Sequence, residues 1–195
     1  MWDGVLIDID ERKQIEQRVQ RLVGTDMLTG ALNRRAFLEQ GEAALARAVR
    51  RGESLSLAML DLDHFKALND TYGHAVGDLA LQAFATTCRE SLRPYDLFAR
   101  IGGEEFVAVL VDSRPEEAWS VLERLRQAVA TIELESEGET VRFTVSLGLA
   151  VLGGEGTLES GLAQADRALY CAKRAGRNRV CGPEALVQDP NPGAS

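Results

Sequence analysis

The sequence predicts an α/β layered domain built on a mixed sheet. Short apolar runs of strand length alternate with helix-length amphipathic runs in the order αβαββαβαβ. One strand pair, flanking "RIGGEEF" (100–106), is joined by a turn of hairpin length, whereas most other connections are long enough for crossover helices. Length adds a bound: 195 residues suffice for one well-packed domain and some extra, not two full domains.

Taken in order, "WDGVLIDID" alternates like a short strand, and "ERKQIEQRVQRLVG" is a charged helix ending at Gly24. Ile15, Val19 and Leu22 follow a coiled-coil spacing, although fewer than three heptads fit a short surface helix equally well. "TDMLTGALNRRAFLEQGEAALARAV" gives turn residues and then a helix. "SLSLAML" (54–60) reads as a buried strand, and "NDTYGHAVGD" as a loop by its Gly, Asn and Asp content. A helix is expected from about Leu79 to Leu92, closed by Pro94.

After the hairpin, "RPEEAWSVLERLRQAVATI" opens with Pro and Glu and continues with helical apolar spacing. "VRFTVSLGLAVL" (141–152) reads as a strand, "LESGLAQADRALYCAKRAG" as a helix, and "NRVCG" as a last short strand. The tail "PEALVQDPNPGAS" is expected to fray.

The composition, 45% hydrophobic and 27% charged, is that of an ordinary soluble globular chain. A net charge of −8 argues against broad binding to nucleic acid, leaving "AKRAGRNR" (172–179) as a local basic pocket. Cys88, Cys171 and Cys181 form neither a metal-ligand spacing nor an even disulfide framework. They read as reduced thiols, so a cytoplasmic location is expected. No apolar run approaches the roughly 20 residues a span needs. No membrane contact is expected of this stretch, although a longer parent protein could be tethered.

The hairpin poses the functional question. Tight turns favour glycine for its backbone freedom, which accounts for Gly102 and Gly103. Adjacent carboxylates repel, so Glu104 and Glu105 imply something positive nearby. "MLDLDHF" puts Asp61 and Asp63 at a strand end, two apart and so on one face. An acidic pair there more often caps the next helix or sits solvated. The second acidic cluster, beside a glycine pair that lets a ligand approach the backbone, shifts the reading towards Mg²⁺ and phosphate chemistry.

These segments closely resemble the GGDEF family of diguanylate cyclases, over about Thr25 to Pro183. "GGEEF" (102–106) is the signature with Glu in its third position. "DMLTGALNRRAF" (26–37), "LDLDHFKALNDTYGHAVGD" (60–78), "RPYDLFARIGGEEF" (93–106) and "ADRALYCAKRAGRNRV" (165–180) match the family's other blocks in order and spacing. The departures, Glu104 and a small Ala31, are mild.

The resemblance implies a palm-like nucleotidyl cyclase fold, an α+β sandwich with a central mixed sheet covered by helices and the signature on a β-hairpin. The implied reaction joins two GTP into cyclic di-GMP with release of two pyrophosphates, in a homodimer of facing domains. Asp61, the Leu62 carbonyl and Glu104 would hold Mg²⁺, with Mn²⁺ as the alternative ion. Glu105 would be the base or metal-assisting carboxylate, and Lys66, with the amides near Phe65, would meet the phosphates. Asn69 and Asp78 would read guanine, with His74 lining the site and Gly102 and Gly103 making room. Lys173 and Arg177, four apart and so expected on one face of the last helix, would clamp the β- and γ-phosphates.

"RPYD" resembles the family's RxxD inhibitory motif. Arg93 and Asp96 would bind cyclic di-GMP as a feedback inhibitor, with Arg124 or Arg126 completing the site. By further resemblance, residues 1–10 are the end of a PAS-like sensor, 11–24 a helical linker, 25–183 the cyclase domain and 184–195 a flexible tail. An upstream sensor domain in a longer protein is therefore expected to govern the dimer. The competing readings are a non-catalytic cyclic di-GMP receptor, a structural dimerisation module, and an enzyme making another cyclic dinucleotide. The full set of expected catalytic residues favours the cyclase, and Asp78 favours guanine.

Overall fold

The computed structural model describes residues 24–153 and 156–184. The expected sensor strand and most of the linker, residues 1–23, lie outside them, as does the tail beyond Glu184. Six strands form the main sheet: β1 (Leu32–Asn33), β2 (Leu55–Leu62), β3 (Leu97–Arg100), β4 (Glu105–Val111), β7 (Val145–Leu152) and β8 (Val180–Cys181). Their order is β1-β3-β4-β2-β7-β8. The two outer pairings are parallel and the three inner ones antiparallel, so the sheet is mixed as expected.

Four long helices cover it. α1 (Arg34–Arg51) and α5 (Leu158–Arg174) lie on one face; α3 (His74–Ser91) and α4 (Pro115–Ala130) lie on the other. Strand β2 shows why both faces must be covered. Leu55, Leu57 and Met59 pack with Phe37 and Leu169, whereas Ala58, Leu60 and Leu62 pack with Phe84 and Leu122. A strand apolar on both faces is stable only between two layers. Among the described residues, no helix is long and apolar enough to cross a membrane.

Local chemistry sets the helix ends. The Asn33 side chain accepts from the Ala36 amide to start α1, and Gly52, at φ 66°, ends it. A reciprocal Thr157–Ser160 capping box starts α5. Gly148 lets α5 lie directly on β7. A β-carbon there would stand 2.1 Å from the Ala165 carbonyl oxygen and 2.2 Å from the Leu169 nitrogen.

Three elements differ from the sequence reading. "NDTYGHAVGD" is mostly helical: α2 (Phe65–Tyr72) and α3 meet at Gly73, whose φ is 84°. Burial of Leu68 and Val76 outweighs the loop-like composition, and α3 begins at His74 rather than Leu79. The run 141–152 is broken. Its first residue ends β6 (Glu139–Val141), which pairs with β5 (Leu134–Ser136) in a separate hairpin, and β7 starts at Val145. Finally, α5 stops at Arg174, so Arg177 does not share a helix with Lys173.

Candidate active site

The site forms where β2 and β4 end together. Antiparallel register places Asp61 directly opposite Glu105, and the Leu62 amide donates to the Glu104 carbonyl at 3.4 Å. Like charges opposed across a strand pair are unfavourable alone. Lys173, at the end of α5, relieves this, its Nζ lying 2.8 Å from Asp61 Oδ2. Burial pushes the Asp61 carboxyl above its ordinary value; Lys173 pulls it back, and Glu104 and Glu105 push it up further.

Phe106 fixes the signature strand. Its fully buried ring stacks on Phe98 and meets Phe84 edge-on, with centroids 5.4 and 4.8 Å away. Burying such a ring contributes on the order of 2 kcal/mol. The glycines before it act differently from expectation, since neither Gly102 nor Gly103 has a left-handed φ. A β-carbon at Gly102 would lie 2.8 Å from Glu105 Oε2, so this glycine clears space for the carboxylate. Gly103 instead offers its carbonyl to the Arg100 Nε and Nη2, at 2.9 and 2.7 Å. Arg100 Nη1 reaches Asp26 at 3.2 Å, and Asp26 also accepts from the Thr29 amide and hydroxyl. Pattern reading missed this support, because nothing in the spacing links positions 26 and 100.

Asp63 is not part of the carboxylate cluster. Its two oxygens accept from the Thr144 hydroxyl (2.6 Å), the Ser146 hydroxyl (2.7 Å) and the Asn178 amide (3.0 Å). The shared-face argument for Asp61 and Asp63 thus gives one carboxylate for the site and one structural tie. Among the described residues, no three His, Cys, Asp or Glu side chains converge as a ready metal cage. A hard, all-oxygen set on Asp61, the Leu62 carbonyl and Glu104 fits Mg²⁺, which usually takes one or two carboxylates and completes its shell with water and phosphate.

Beside this acidic end, α2 begins at Phe65 and Lys66. His64 precedes it at φ 57° and gives no side-chain cap, which leaves the first amides without that partner. Farther along α2, Asn69 Oδ1 is buried and has no hydrogen-bond partner among the described residues. It occupies the space a β-carbon on Gly77 would need, 1.9 Å away. His74 and Asp78 are exposed in the first turns of α3, around the same helix junction. Arg177 is half-buried in the loop after α5, at φ 63°.

The "RPYD" turn lies apart, between α3 and β3. Asp96 accepts from the Arg93 amide (2.9 Å) and the Val111 amide (3.1 Å), and the Arg93 guanidinium lies 5.8 Å from the Tyr95 ring centroid. A cleft of about 410 Å³ adjoins it, lined by Arg89, Arg93, Asp96 and Gln40 among others. The structure separates the two candidate arginines of α4. Arg124 donates to the Ser91 carbonyl near this turn, whereas Arg126 donates to Glu123 and Asn178.

Fold and site define a mixed-sheet α/β domain with an acidic strand end, a glycine-flanked acidic hairpin and a lysine paired with the buried acid. The family profile "Diguanylate cyclase, GGDEF domain" matches residues 23–179. The diguanylate cyclase DgcP of Pseudomonas aeruginosa is 45% identical over 165 residues, 85% of this chain and 24% of DgcP. The GGDEF domain of DgcB from Caulobacter crescentus, solved in complex with c-di-GMP, superposes with a TM-score of 0.79 at 37% identity, covering 82% of this chain and 93% of that one. The active GGEEF domain of a diguanylate cyclase from Vibrio cholerae gives 0.72 at 34% identity, covering 77% and 96%. The chain belongs to the GGDEF family of diguanylate cyclase domains. It spans between 24% and 42% of the lengths of the curated relatives set beside it.

Proposed function

We propose that this domain condenses two GTP into cyclic di-GMP and two pyrophosphates, with two copies facing each other. The observation that carries the reading is the opposition of Asp61 and Glu105 across β2 and β4, with Lys173 bonded to Asp61. A buried acid, a second acid and a cation are thereby gathered where the uncapped start of α2 meets the sheet.

Asn69 and Asp78 orient the guanine. The unpartnered Asn69 oxygen suits a base N–H, and Asp78 accepts from the guanine edge. Lys66 and the first amides of α2 hold phosphate oxygens, His74 lines the nucleotide site, and Lys173 with Arg177 binds the β- and γ-phosphates. A divalent ion, Mg²⁺ or Mn²⁺, held by Asp61, the Leu62 carbonyl and Glu104 would offset phosphate charge and acidify the attacking 3′-hydroxyl. Glu105, exposed at the hairpin, accepts that hydroxyl's proton.

Arg93, Asp96 and Arg124 form the product-binding inhibitory site in this reading, and residues 11–24 link the domain to an upstream PAS-like sensor that ends with residues 1–10. The test is chromatography of products after incubation with GTP and Mg²⁺, beside a Glu105→Gln variant. Cyclic di-GMP from the parent alone is expected. Intact cyclic di-GMP binding without turnover, at any protein concentration, would instead favour a receptor.

A further inference from the structure

The loop joining α5 to β8 has an unusual backbone. Gly176, Arg177 and Asn178 take φ values of 110°, 63° and 45°, three consecutive residues with positive φ. A helix C-terminus commonly uses one such residue, usually glycine, and Arg in that region is disfavoured. Poorly populated backbone persists where surrounding contacts over-determine it, and it clusters at ligand clamps.

The Arg177 amide donates to the Ala172 carbonyl at 3.0 Å, closing α5, and the remaining contacts come from two distant elements and meet at Asn178. Its amide donates to Asp63 Oδ2 at 3.0 Å, and Asp63 is buried and held by Thr144 and Ser146. Its side-chain oxygen accepts from Arg126 Nη1 at 2.9 Å. Arg126 projects from α4, is only 18% exposed, and is steadied by Glu123 at 2.9 Å. On the far side, the Arg179 carbonyl accepts from the Leu147 amide at 2.9 Å. Arg177 therefore sits between fixed points, in a conformation its own sequence would not choose.

We propose that Arg126 and Asn178 are positioning residues for the phosphate clamp: α4 reaches across through Arg126 to hold the Asn178 loop, so that Arg177 is set in place before nucleotide arrives. This rests on the proposed role of Arg177 towards the β- and γ-phosphates. It removes Arg126 from the inhibitory site, where the sequence had made it an alternative to Arg124.

Calorimetric titration of the full chain tests it, with a GTP analogue carrying methylene between its α and β phosphorus atoms, and with GMP, which lacks the β- and γ-phosphates, as the comparison probe. Arg126→Ala and Asn178→Gly are compared with Arg177→Ala, and thermal melting is recorded for each. Asn178→Gly keeps the backbone comfortable and the amide bond to Asp63, and removes only the side-chain link. Both positioning variants should bind the triphosphate analogue roughly five-fold or more weakly, the loss of about one hydrogen bond. GMP affinity should stay within about two-fold, and the double variant should be no weaker than either single one. Unchanged triphosphate affinity in both, with a loss in Arg177→Ala, overturns the positioning role and leaves the clamp standing. No loss in Arg177→Ala removes the clamp and this inference together. Equal losses for both ligands alongside a lowered melting temperature reduce Arg126 to ordinary structural support and also overturn it.

Discussion

The side-chain oxygen of Asn69 lies where any residue larger than glycine at position 77 would place its β-carbon, 1.9 Å from that point. Gly77 is inside α3 with an ordinary helical φ, so the glycine is not there for backbone freedom. It is the vacancy that Asn69 fills.

Gly77→Ala separates the two roles. Interior helical Gly→Ala changes normally stabilise by about 1 kcal/mol, which offsets the displacement of the Asn69 amide (Oδ1 at 1.9 Å and Cγ at 2.9 Å) and of the Phe65 ring edge at 3.3 Å. The variant should stay folded, its stability within about 1 kcal/mol of the parent's, while its affinity for GTP falls about ten-fold, near one lost polar contact. Titration in a Glu105→Gln background, which blocks turnover, gives the answer. Parental affinity would mean that Asn69 does not read the base.

Lys173→Met and Asp61→Asn should part company in stability. Removing the lysine leaves the buried Asp61 carboxylate facing Glu104 and Glu105, costing about 1–3 kcal/mol because Lys173 remains a third exposed. Asp61→Asn removes the repelling charge and should fold at least as stably, with activity lost. Urea denaturation measures both. Adding Mg²⁺ should raise the parent midpoint and leave that of Asp61→Asn unmoved; an equal response in the two would exclude Asp61 as a ligand.

Asp26 confers a pH dependence. Burial alone would raise its carboxyl, but the Thr29 hydroxyl and amide together with Arg100 outweigh burial and hold it below the ordinary 3.8. A lowered folded-state value means the stabilisation is complete above the ordinary carboxylate range and is lost as pH falls through the folded value. Asp26→Asn should therefore cost about 1 kcal/mol at pH 7. The gap between parent and variant should narrow once pH falls below the ordinary 3.8 and on through the lowered folded-state value. Urea midpoints at several pH values show this, and a gap that persisted at low pH would argue against the Arg100–Asp26 pairing.

A test of the proposed product inhibition separates the arginines of α4. Arg93→Ala should raise the half-inhibitory cyclic di-GMP concentration about ten-fold or more and Arg124→Ala should raise it less, as charged contacts to phosphate are lost. Arg126→Ala should leave it near the parent value, its guanidinium being committed to Glu123 and Asn178. A turnover assay with added product ranks the three, and a parental value in Arg93→Ala would abolish the proposed site.

Much of the fold was legible because strand and helix periods leave clear marks. The hairpin, the buried strand carrying Asp61 and the helix carrying Lys173 all stand where apolar spacing puts them. Which of Asp61 and Asp63 meets which of Glu104 and Glu105 depends on the hairpin strand lying beside the buried one, and the register pairs Asp61 with Glu105. Less legible were features decided by contacts distant in sequence. Arg124 and Arg126 are two apart, so about 200° of helical rotation separates them. Only packing shows which one meets the "RPYD" turn. Arg177 looked helical by spacing from Lys173, but the helix closes at Arg174 and the chain turns left-handed. Asp63 looked equivalent to Asp61 until Thr144, Ser146 and Asn178 claimed its oxygens.

The missing side chain at Gly148 makes the sheet a fulcrum for α5. The helix bears on β7 between Ala165 and Leu169, and Lys173 stands one turn beyond, about 6 Å along the axis. A single methyl group at the bearing point would act as a wedge and tip the ammonium group away from Asp61. The reach of that lysine is thus calibrated by a hydrogen atom on a neighbouring strand, where no charge is present at all.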